Sequence, residues 1–198
     1  NAATPDMLRA YLARLQKAGE WTEAWFDWLN SLPREQIGKL GYLYNGSFER
    51  PLSNLGFDWI VRNDPAVSLD TAATYGTSGE QALRVSFRGL RTRFQNLSQY
   101  LMLPPGKYAL HGRVRPDNLQ AEQGMQWALY CLGTNQPVVV SDRFRGSDQW
   151  TRFRTGFDIP SAGCPVQMLR LELAGTIGLD FDATGTIWFD DLGIERVR

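Results

Sequence analysis

Apolar residues recur with two different periods along the chain, and the change falls near residue 42. Before it, apolar positions are spaced three and four residues apart, as on one face of a helix; the series begins Leu8, Tyr11, Leu12, Leu15. Thr4-Pro5 is typical of a helix start, and Gly19 is typical of a helix end. Pro33 starts a shorter third segment. We therefore predict three helices, the last ending near Gly41.

After residue 42 the period falls to two. Apolar and polar residues alternate along three clear runs, 83–88, 108–115 and 168–173. Each run has one apolar face and one polar face, which is typical of antiparallel strands. Turn sequences such as Pro104-Pro105-Gly106 separate the runs. Many short strands without intervening helices predict a mainly β fold, either a sandwich or a barrel.

The overall charge excludes some classes of function. The chain has 21 basic and 21 acidic side chains and a formal net charge of zero. A nucleic-acid surface normally needs a basic stripe, so we expect no nucleic-acid partner. No apolar run approaches the roughly 20 residues that a transmembrane helix needs. The chain begins at Asn1 rather than Met, and we expect it to be a piece or a processed product of a longer protein.

Enzyme motifs are missing from the sequence. It contains no nucleophile elbow, phosphate-binding loop, dinucleotide fingerprint or zinc-protease motif. His111 is the only histidine, so any Ser-His or Cys-His pair would have to use it. Asp190 and Asp191 are adjacent on a predicted strand and therefore point in opposite directions, which makes them a poor glycosidase pair. We predict that the chain is not an enzyme; a lyase or hydrolase on the same scaffold is a weaker alternative.

The helical segment, residues 1–44, resembles the end of a tetratricopeptide repeat. The resemblance rests on Ala18-Gly19 at the helical turn, Trp21 and Ala24 on the second helix, and Pro33 after it. A full unit would cover about 34 residues. One helix pair cannot bury its own apolar face. The segment is therefore either the remnant of a repeat array or a helical cap on the domain that follows.

Residues 45–198 resemble the galactose-binding-like jelly rolls, in particular the carbohydrate-binding modules of xylanases and cellulases. The motifs occur in the order expected for that family: Asn-Gly-Ser-Phe-Glu at 45–49, Trp59, Leu-Arg-Val at 83–85, a strand pair at 101–115, Trp-Thr-Arg-Phe at 150–153 and Trp-Phe-Asp-Asp-Leu at 188–192. The resemblance implies a jelly-roll β-sandwich that the first and last of these segments close.

The resemblance also implies one structural calcium ion. The positions that match the family's calcium ligands are Glu49 and Asp190, with Asp191 as a substitute. Calcium prefers six to eight oxygen ligands, and carboxylates from the first and last strands with loop carbonyls would supply them. The alternative is that Glu49 is a solvated side chain and that the two aspartates simply end a strand.

Strand alternation predicts a ligand face. If Trp127 and Cys131 point into the core, then Gln126 and Tyr130 point outward. In the resembled modules a concave sheet face holds the sugar between an aromatic ring and hydrogen-bonding side chains. Tyr130 would be that ring, and the predicted ligand-binding set is Tyr130, Gln126, Arg113, Glu172, His111 and Gln99. The alternative is structural: a salt bridge between Arg113 and Glu172, with His111 satisfied inside the fold.

Cys131 and Cys164 are the only cysteines. Two cysteines permit one disulfide or two reduced thiols. The resembled secreted jelly rolls commonly contain a disulfide, so the resemblance implies that these two are bridged. A bridge would place the chain in an oxidising compartment, and we expect it outside the cytoplasm, in the periplasm or secreted.

The favoured function is that of a non-catalytic carbohydrate-binding module within a larger bacterial envelope or exopolysaccharide-associated protein. Its partner would be a polysaccharide or oligosaccharide. The alternative is a structural or protein-interaction domain that caps a helical repeat array and binds another protein through the helical segment. An exposed aromatic side chain on a concave groove would favour the first function, and a flat apolar face would favour the second. A sheet covered by residues 4–41 would favour the second.

Overall fold

The computed structural model describes residues 4–197 and begins with the three predicted helices. They are α1 (Pro5–Ala18), α2 (Trp21–Ser31) and α3 (Arg34–Ile37). The Thr4 hydroxyl accepts a hydrogen bond from the Met7 amide at 3.3 Å and so caps α1. Gly19 ends α1 with a left-handed backbone (φ 82°), a conformation that favours glycine. No helix among residues 4–197 is long and apolar enough to cross a membrane.

The rest of the described chain is built from strands. Their bounds are β1 (Ile60–Val61), β2 (Val67–Ala73), β3 (Gln81–Arg88), β4 (Leu97–Leu101), β5 (Gly106–Ala121), β6 (Met125–Cys131), β7 (Pro137–Val140), β8 (Thr151–Ile159), β9 (Gln167–Leu173) and β10 (Ala183–Arg196). A short 3-10 helix, Gly178–Phe181, precedes β10. The predicted mainly β architecture is confirmed.

The strands form two five-stranded sheets. The first sheet has the order β1-β4-β9-β6-β7, and the second has the order β2-β3-β10-β5-β8. The pairings within both sheets are antiparallel. One large hydrophobic core lies between the sheets. It contains the inward residues of the predicted alternating runs, among them Leu83, Val85, Leu110, Leu169 and Leu171. The chain is therefore a jelly-roll-like β-sandwich.

The segments at 45–49 and 188–192 meet, as the resemblance implied. The backbone amide of Leu192 donates a hydrogen bond to the carbonyl of Gly46 at 2.9 Å. A Cβ atom at Gly46 would lie 2.0 Å from the Leu192 carbonyl oxygen, so this close backbone approach requires glycine. Phe48 of the first segment and Phe189 of the second are both fully buried in the core.

The helical segment packs against one end of the first sheet. Leu12, Leu15 and Trp28 are buried in a second, smaller hydrophobic cluster. Trp21 reaches Tyr100 on β4, with ring centroids 4.9 Å apart. Phe57, which precedes β1, completes the cluster. The helix pair thus buries its apolar face against the sandwich. Its tetratricopeptide origin, and the division of the chain into residues 1–44 and 45–198, stay predictions.

Candidate functional site

The outer face of the first sheet brings together polar side chains from β6 and β9. These strands are neighbours, and their register places Gln126 opposite Glu172 and Ala128 opposite Arg170. Trp127 and Leu129 point into the core. Gln126 and Tyr130, which alternate with these core residues along β6, therefore point outward, as predicted. Side chains at directly opposed positions lie close enough to bond across the strands.

Glu172 is the centre of a dense hydrogen-bond network on this face. Its Oε1 atom accepts from Gln126 Nε2 at 3.0 Å and from the Tyr130 hydroxyl at 3.1 Å. Its Oε2 atom accepts from Arg170 Nε at 2.9 Å and from Arg170 Nη2 at 2.7 Å. Only 6% of Glu172 is exposed, so the paired guanidinium offsets the cost of burying its charge. We call Gln126, Tyr130, Arg170 and Glu172 the Glu172 cluster.

The Tyr130 hydroxyl is a hydrogen-bond donor in this cluster. Burial raises the pKa of the Tyr130 phenol, and the Glu172 carboxylate raises it further. The phenol therefore stays protonated at neutral pH. The Arg170 guanidinium lies 4.5 Å from the centre of the Tyr130 ring, and only 9% of Tyr130 is exposed. One ring face is thus already covered, so the structure does not present Tyr130 as the open stacking platform that we expected.

A polar cleft of about 400 Å³ opens above the Glu172 cluster. Its walls come from the segments before β4 and before β6, from the segment after β7, and from the segment that leads into the 3-10 helix. The polar side chains that line it include Arg93, Gln123, Gln126, Arg143, Glu172 and Asp180. The cleft combines amide, guanidinium and carboxylate groups, which are the groups that hydrogen-bond sugar hydroxyls.

One polar atom at the floor of the cleft has no partner. The Oε1 atom of Gln126 is buried and makes no hydrogen bond within residues 4–197. The Nε2 atom of the same amide is held by Glu172, which fixes the orientation of the amide group. A buried acceptor without a partner costs free energy. Because this atom is closed to solvent, a ligand hydroxyl would recover that cost only after a small movement of the Gln126 side chain.

Two other residues of the predicted set lie on the opposite side of the molecule. His111 and Arg113 are on β5, which belongs to the second sheet. Arg113 Nε lies 3.2 Å from Asp191 Oδ2, and Arg113 Nη1 donates to the Gly76 carbonyl at 2.8 Å. The prediction of one site containing all six residues was wrong on this point. Alternation distinguishes inward from outward positions, but it does not say which of two sheets a strand joins.

The same geometry removes the predicted alternative of a salt bridge between Arg113 and Glu172. Glu172 pairs with Arg170 and Arg113 pairs with Asp191, each within its own sheet. His111 lines a separate depression on the second sheet together with Arg152 and Arg154. Arg170 is the member of the Glu172 cluster that sequence reasoning left out of the predicted site. Its position two residues before Glu172 on one strand face was the available signal.

Gln99 lies on the inward face of β4 and not in the cleft. It shares one strand face with the core residues Leu97 and Leu101, and only 1% of it is exposed. Its side-chain amide accepts from the Tyr44 amide and donates to the Tyr44 carbonyl, both at 2.9 Å. Gln99 therefore joins the end of the helical segment to β4.

Glu49 lies near Asp190, which is a residue of β10. Glu49 Oε1 accepts from the backbone amides of Glu80 and Gln81, both at 2.9 Å. Asp190 is fully buried, and its Oδ1 atom accepts from the Asp191 amide at 2.7 Å. Burial is the main cause that raises the pKa of Asp190 to about 6, and the negative charges of Asp191 and Glu49 act in the same direction.

Two oxygens at this place are buried close together. The Thr77 hydroxyl acts to lower the pKa of Asp190, but Thr77 Oγ1 and Asp190 Oδ2 form no hydrogen bond of good geometry in the described part of the chain. Buried hard oxygens beside two carboxylates are the ligands that calcium prefers. Residues 4–197 contain no group of three or more acidic, His or Cys side chains that could hold a metal. Any further ligands would therefore be hydroxyl and backbone oxygens.

Cys131 and Cys164 form a disulfide, so the expected pairing is confirmed. The bridge lies one residue beyond Tyr130, at the end of β6. It ties β6 to the segment that leads into β9. The strands that carry the Glu172 cluster are thus linked covalently as well as by their hydrogen-bond ladder.

No protein-family profile matches this sequence, and no curated protein is detectably similar to it. Solved structures do match. A family 4 carbohydrate-binding module superposes with a TM-score of 0.56 at 15% identity, covering 78% of this chain and 99% of that one. A family 61 carbohydrate-binding module, solved with β-1,4-galactotriose, gives a TM-score of 0.53 at 20% identity, covering 80% of this chain and 99% of that one.

One structural match is an enzyme. The enzymatically active domain of tailspike protein 4 from bacteriophage CBA120 gives a TM-score of 0.54 at 11% identity. The match covers 79% of this chain but only 21% of the tailspike chain. At these identities the comparisons establish the fold and not the activity. The chain has the two-sheet β-sandwich fold of carbohydrate-binding modules, as its motifs implied.

Proposed function

We propose that this chain is a carbohydrate-binding domain and that the sugar occupies the cleft above the Glu172 cluster. The observation that carries the proposal is the polar cleft lined by Gln126, Tyr130 and Glu172, whose side chains are already hydrogen-bonded to one another. The fold supports it, because solved carbohydrate-binding modules share this sandwich. The proposed ligand is therefore a polysaccharide or oligosaccharide.

Binding would rest on side chains that are held in place before the ligand arrives. Glu172 holds the amide group of Gln126, and Arg170 holds the carboxylate of Glu172. Arg143 Nη1 donates to Gln123 Oε1 at 2.8 Å, which fixes a donor on the wall of the cleft. Side chains that are already ordered lose little conformational entropy on binding. A sugar that donates to Gln126 and accepts from the wall residues would use this order.

The carboxylates of the cleft favour binding over catalysis. A glycosidase needs one carboxyl group with a raised pKa as its general acid. Asp180 Oδ2 accepts from the amides of Ile177 and Thr176, and these bonds lower the pKa of Asp180. Both oxygens of Glu172 are engaged by donors of the cluster. Neither group is placed as a general acid, so we propose a domain that binds glycans without cleaving them.

We further propose one structural calcium ion held by Glu49 and Asp190, with Thr77 supplying a hydroxyl oxygen. When bound, the ion would satisfy the two buried oxygens and neutralise neighbouring carboxylates. Because Glu49 follows Phe48 and Asp190 lies on β10, the ion would staple the two ends of the domain. A melting temperature that rises with added calcium and falls with a chelator in the wild type, but not in Asp190→Asn, would support this. Equal melting with and without calcium would refute it.

The disulfide bears on the location of the protein in the cell. Disulfides persist mainly in oxidising compartments. The Cys131–Cys164 bridge therefore supports a location outside the cytoplasm, in the periplasm or secreted. We propose that residues 45–198 bind the glycan and that residues 1–44 connect them to the rest of an envelope or exopolysaccharide-associated protein.

A second candidate is protein binding through the helical segment. Met7 and Phe26 lie on the helices and are 62% and 55% exposed. Large apolar side chains at the surface are common at sites of protein contact. On this account residues 1–44 would pack against a preceding helical repeat, and the sandwich would cap the array. Failure of every glycan to bind would move the assignment to this candidate.

The proposed function is tested by affinity electrophoresis through gels that contain neutral and acidic polysaccharides. We expect at least one polysaccharide to retard the wild-type protein. Gln126→Leu should weaken that retardation by about tenfold, because it removes the amide from the floor of the cleft. Gln149→Leu is the matched control, since Gln149 is exposed and lies outside the cleft. No retardation by any glycan, or equal retardation of folded Gln126→Leu, would contradict the proposal.

A further inference from the structure

We propose that the glycan recognised in this cleft is anionic, with carboxylate or sulfate groups on its sugar units. This inference rests on the proposed carbohydrate function and names the class of ligand. It follows from which charges of the cleft are already paired and which are not.

The two acidic side chains of the cleft are already engaged, Glu172 by an ion pair and Asp180 through one of its carboxylate oxygens. Glu172 forms an ion pair with Arg170 at 2.7 Å and accepts from Gln126 and Tyr130 as well. Asp180 is almost fully buried, and its Oδ2 atom accepts two backbone amides, at 2.8 Å and 3.0 Å. Neither carboxylate points a free oxygen pair at a ligand. Glu172 therefore adds little net charge to the cleft, whereas Asp180 stays ionised and offsets part of the positive charge there.

The two arginines that line the cleft form no ion pair in the described part of the chain, although Arg143 lies near enough to Asp180 to contribute to the lowered pKa of that carboxyl. Arg93 and Arg143 form no ion pair within 4.0 Å among residues 4–197. The neighbouring Arg91, by contrast, is paired with Asp182 at 2.8 Å. The cleft therefore presents two cationic groups whose charge is not neutralised by ion pairs.

Both arginines are held by groups that leave their charge free. The Arg93 guanidinium lies 4.7 Å from the centre of the Phe181 ring. Arg143 is held by the neutral Gln123 amide. Arginine presents a planar fork of donors that fits carboxylate and sulfate oxygens in a bidentate manner. A neutral glycan would leave these two cations without a matching charge, whereas an acidic glycan would pair with them.

The chain has no net charge, so its attraction for an acidic glycan must act locally in the cleft. The 21 basic and 21 acidic side chains cancel, so the protein as a whole does not attract polyanions. Selectivity for an acidic glycan must then come from Arg93 and Arg143 at short range. Binding should weaken as salt screens these exposed charges.

The test uses paired neutral and acidic polymers: β-1,4-galactan against polygalacturonate, and dextran against dextran sulfate. Binding is measured by affinity electrophoresis and by calorimetry, at low and high salt. We expect the acidic member of at least one pair to bind about tenfold more tightly at low salt. The polygalacturonate arm identifies carboxylate recognition, and the dextran sulfate arm identifies sulfate recognition.

Single substitutions then locate the charge. Arg93→Gln and Arg143→Gln should each weaken binding of the acidic polymer by about tenfold and reduce its dependence on salt. Arg152→Gln is the matched control, because Arg152 is exposed on the second sheet, away from the cleft. All three arginines are exposed, so we expect the variants to fold normally.

The outcomes separate this inference from the proposed function. Equal binding of neutral and acidic polymers, with no effect of Arg93→Gln or Arg143→Gln, would overturn the charge inference and leave the carbohydrate function intact. Loss of acidic binding only in Arg152→Gln would also overturn it, since the site would then be on the second sheet. Failure of both polymers of both pairs, and of every other glycan in the gels, would overturn the two proposals together.

Discussion

Removal of the Arg170 guanidinium should destabilise the fold through the carboxylate that it leaves behind. In Arg170→Met the aliphatic part of the side chain remains, but Glu172 loses its only ion pair and two hydrogen bonds, of 2.9 Å and 2.7 Å. Glu172 keeps the amide of Gln126 and the hydroxyl of Tyr130 as donors. The charge of Glu172 is then buried without its cationic partner.

The magnitude follows from the burial of the pair. Breaking a buried ion pair by removing one partner typically costs 3–5 kcal/mol. The side chains of Arg170 and Glu172 are 18% and 8% exposed, so water can replace only a small part of what is lost. We therefore expect a loss of about 3 kcal/mol in the free energy of unfolding, near the lower end of that range.

The assay is urea unfolding at pH 7, followed by tryptophan fluorescence, for the wild type, Arg170→Met, Glu172→Gln and the double variant. The double variant contains no unpaired buried charge, so it should be more stable than Arg170→Met alone. The double-mutant cycle should give a coupling of about 2 kcal/mol. A loss below about 1 kcal/mol for Arg170→Met, or additive effects of the two changes, would show that Glu172 is already hydrated. The argument for an ordered floor of the cleft would then fail.

Three further perturbations test other parts of the structure. Replacing Cys131 and Cys164 by alanine opens a loop with a sequence separation of 33. The chain-entropy relation predicts a loss of about 3–4 kcal/mol in the free energy of unfolding, which should lower the melting temperature by about 10 °C. An unchanged melting temperature would contradict the bridge. Gly46→Ala should prevent soluble expression or lower the melting temperature by more than 5 °C, which corresponds to a loss of about 2 kcal/mol. Gly38→Ala, whose Cβ would meet nothing within 4 Å and whose backbone is not left-handed, should cost less. Gln99→Leu leaves both backbone groups of Tyr44 without their partner, so urea unfolding should show a loss of about 2 kcal/mol; no loss would mean that water replaces the amide.

The sequence was sufficient for the fold because its local patterns agree with the global structure. The two-residue alternation of 83–87 and 169–173 matches the inward positions of the core. The contact between the Gly46 and Leu192 segments is long-range, and the family resemblance implied it, not a local pattern. Helix start and stop signals at Thr4 and Gly19 act locally and need no tertiary context. Patterns of this kind are predictable since each depends on neighbouring residues alone.

The candidate site was predicted only in part, because its composition depends on strand order. Gln126, Tyr130 and Glu172 are brought together by the pairing of β6 with β9. His111 and Arg113 also point away from the core, but their strand belongs to the other sheet. The inward or outward direction of a side chain is set within one strand, whereas the sheet that the strand joins depends on pairings between residues far apart in the chain. The cleft walls, which come from loops, carry no periodic signal at all.

Tyr130 shows a second limit of sequence reasoning. An outward aromatic residue on a strand is a reasonable stacking platform, but Arg170 from the neighbouring strand covers one face of its ring. The contact requires the register that places Arg170 opposite Ala128, and the sequence does not state that register. The function of the tyrosine therefore shifts from stacking to hydrogen bonding within the cluster.

The location of the glycan tests the central claim most directly. Protein labelled with ¹⁵N is titrated with galactotriose and, separately, with trigalacturonate, and the shifts of backbone amide signals are followed. We predict that the shifts concentrate on β6, on β9 and on the segments that carry Arg93, Arg143 and Asp180. Shifts confined to the outer face of the second sheet around His111 and Arg113, or to the helices, would contradict the account, as would the absence of shifts with every oligosaccharide.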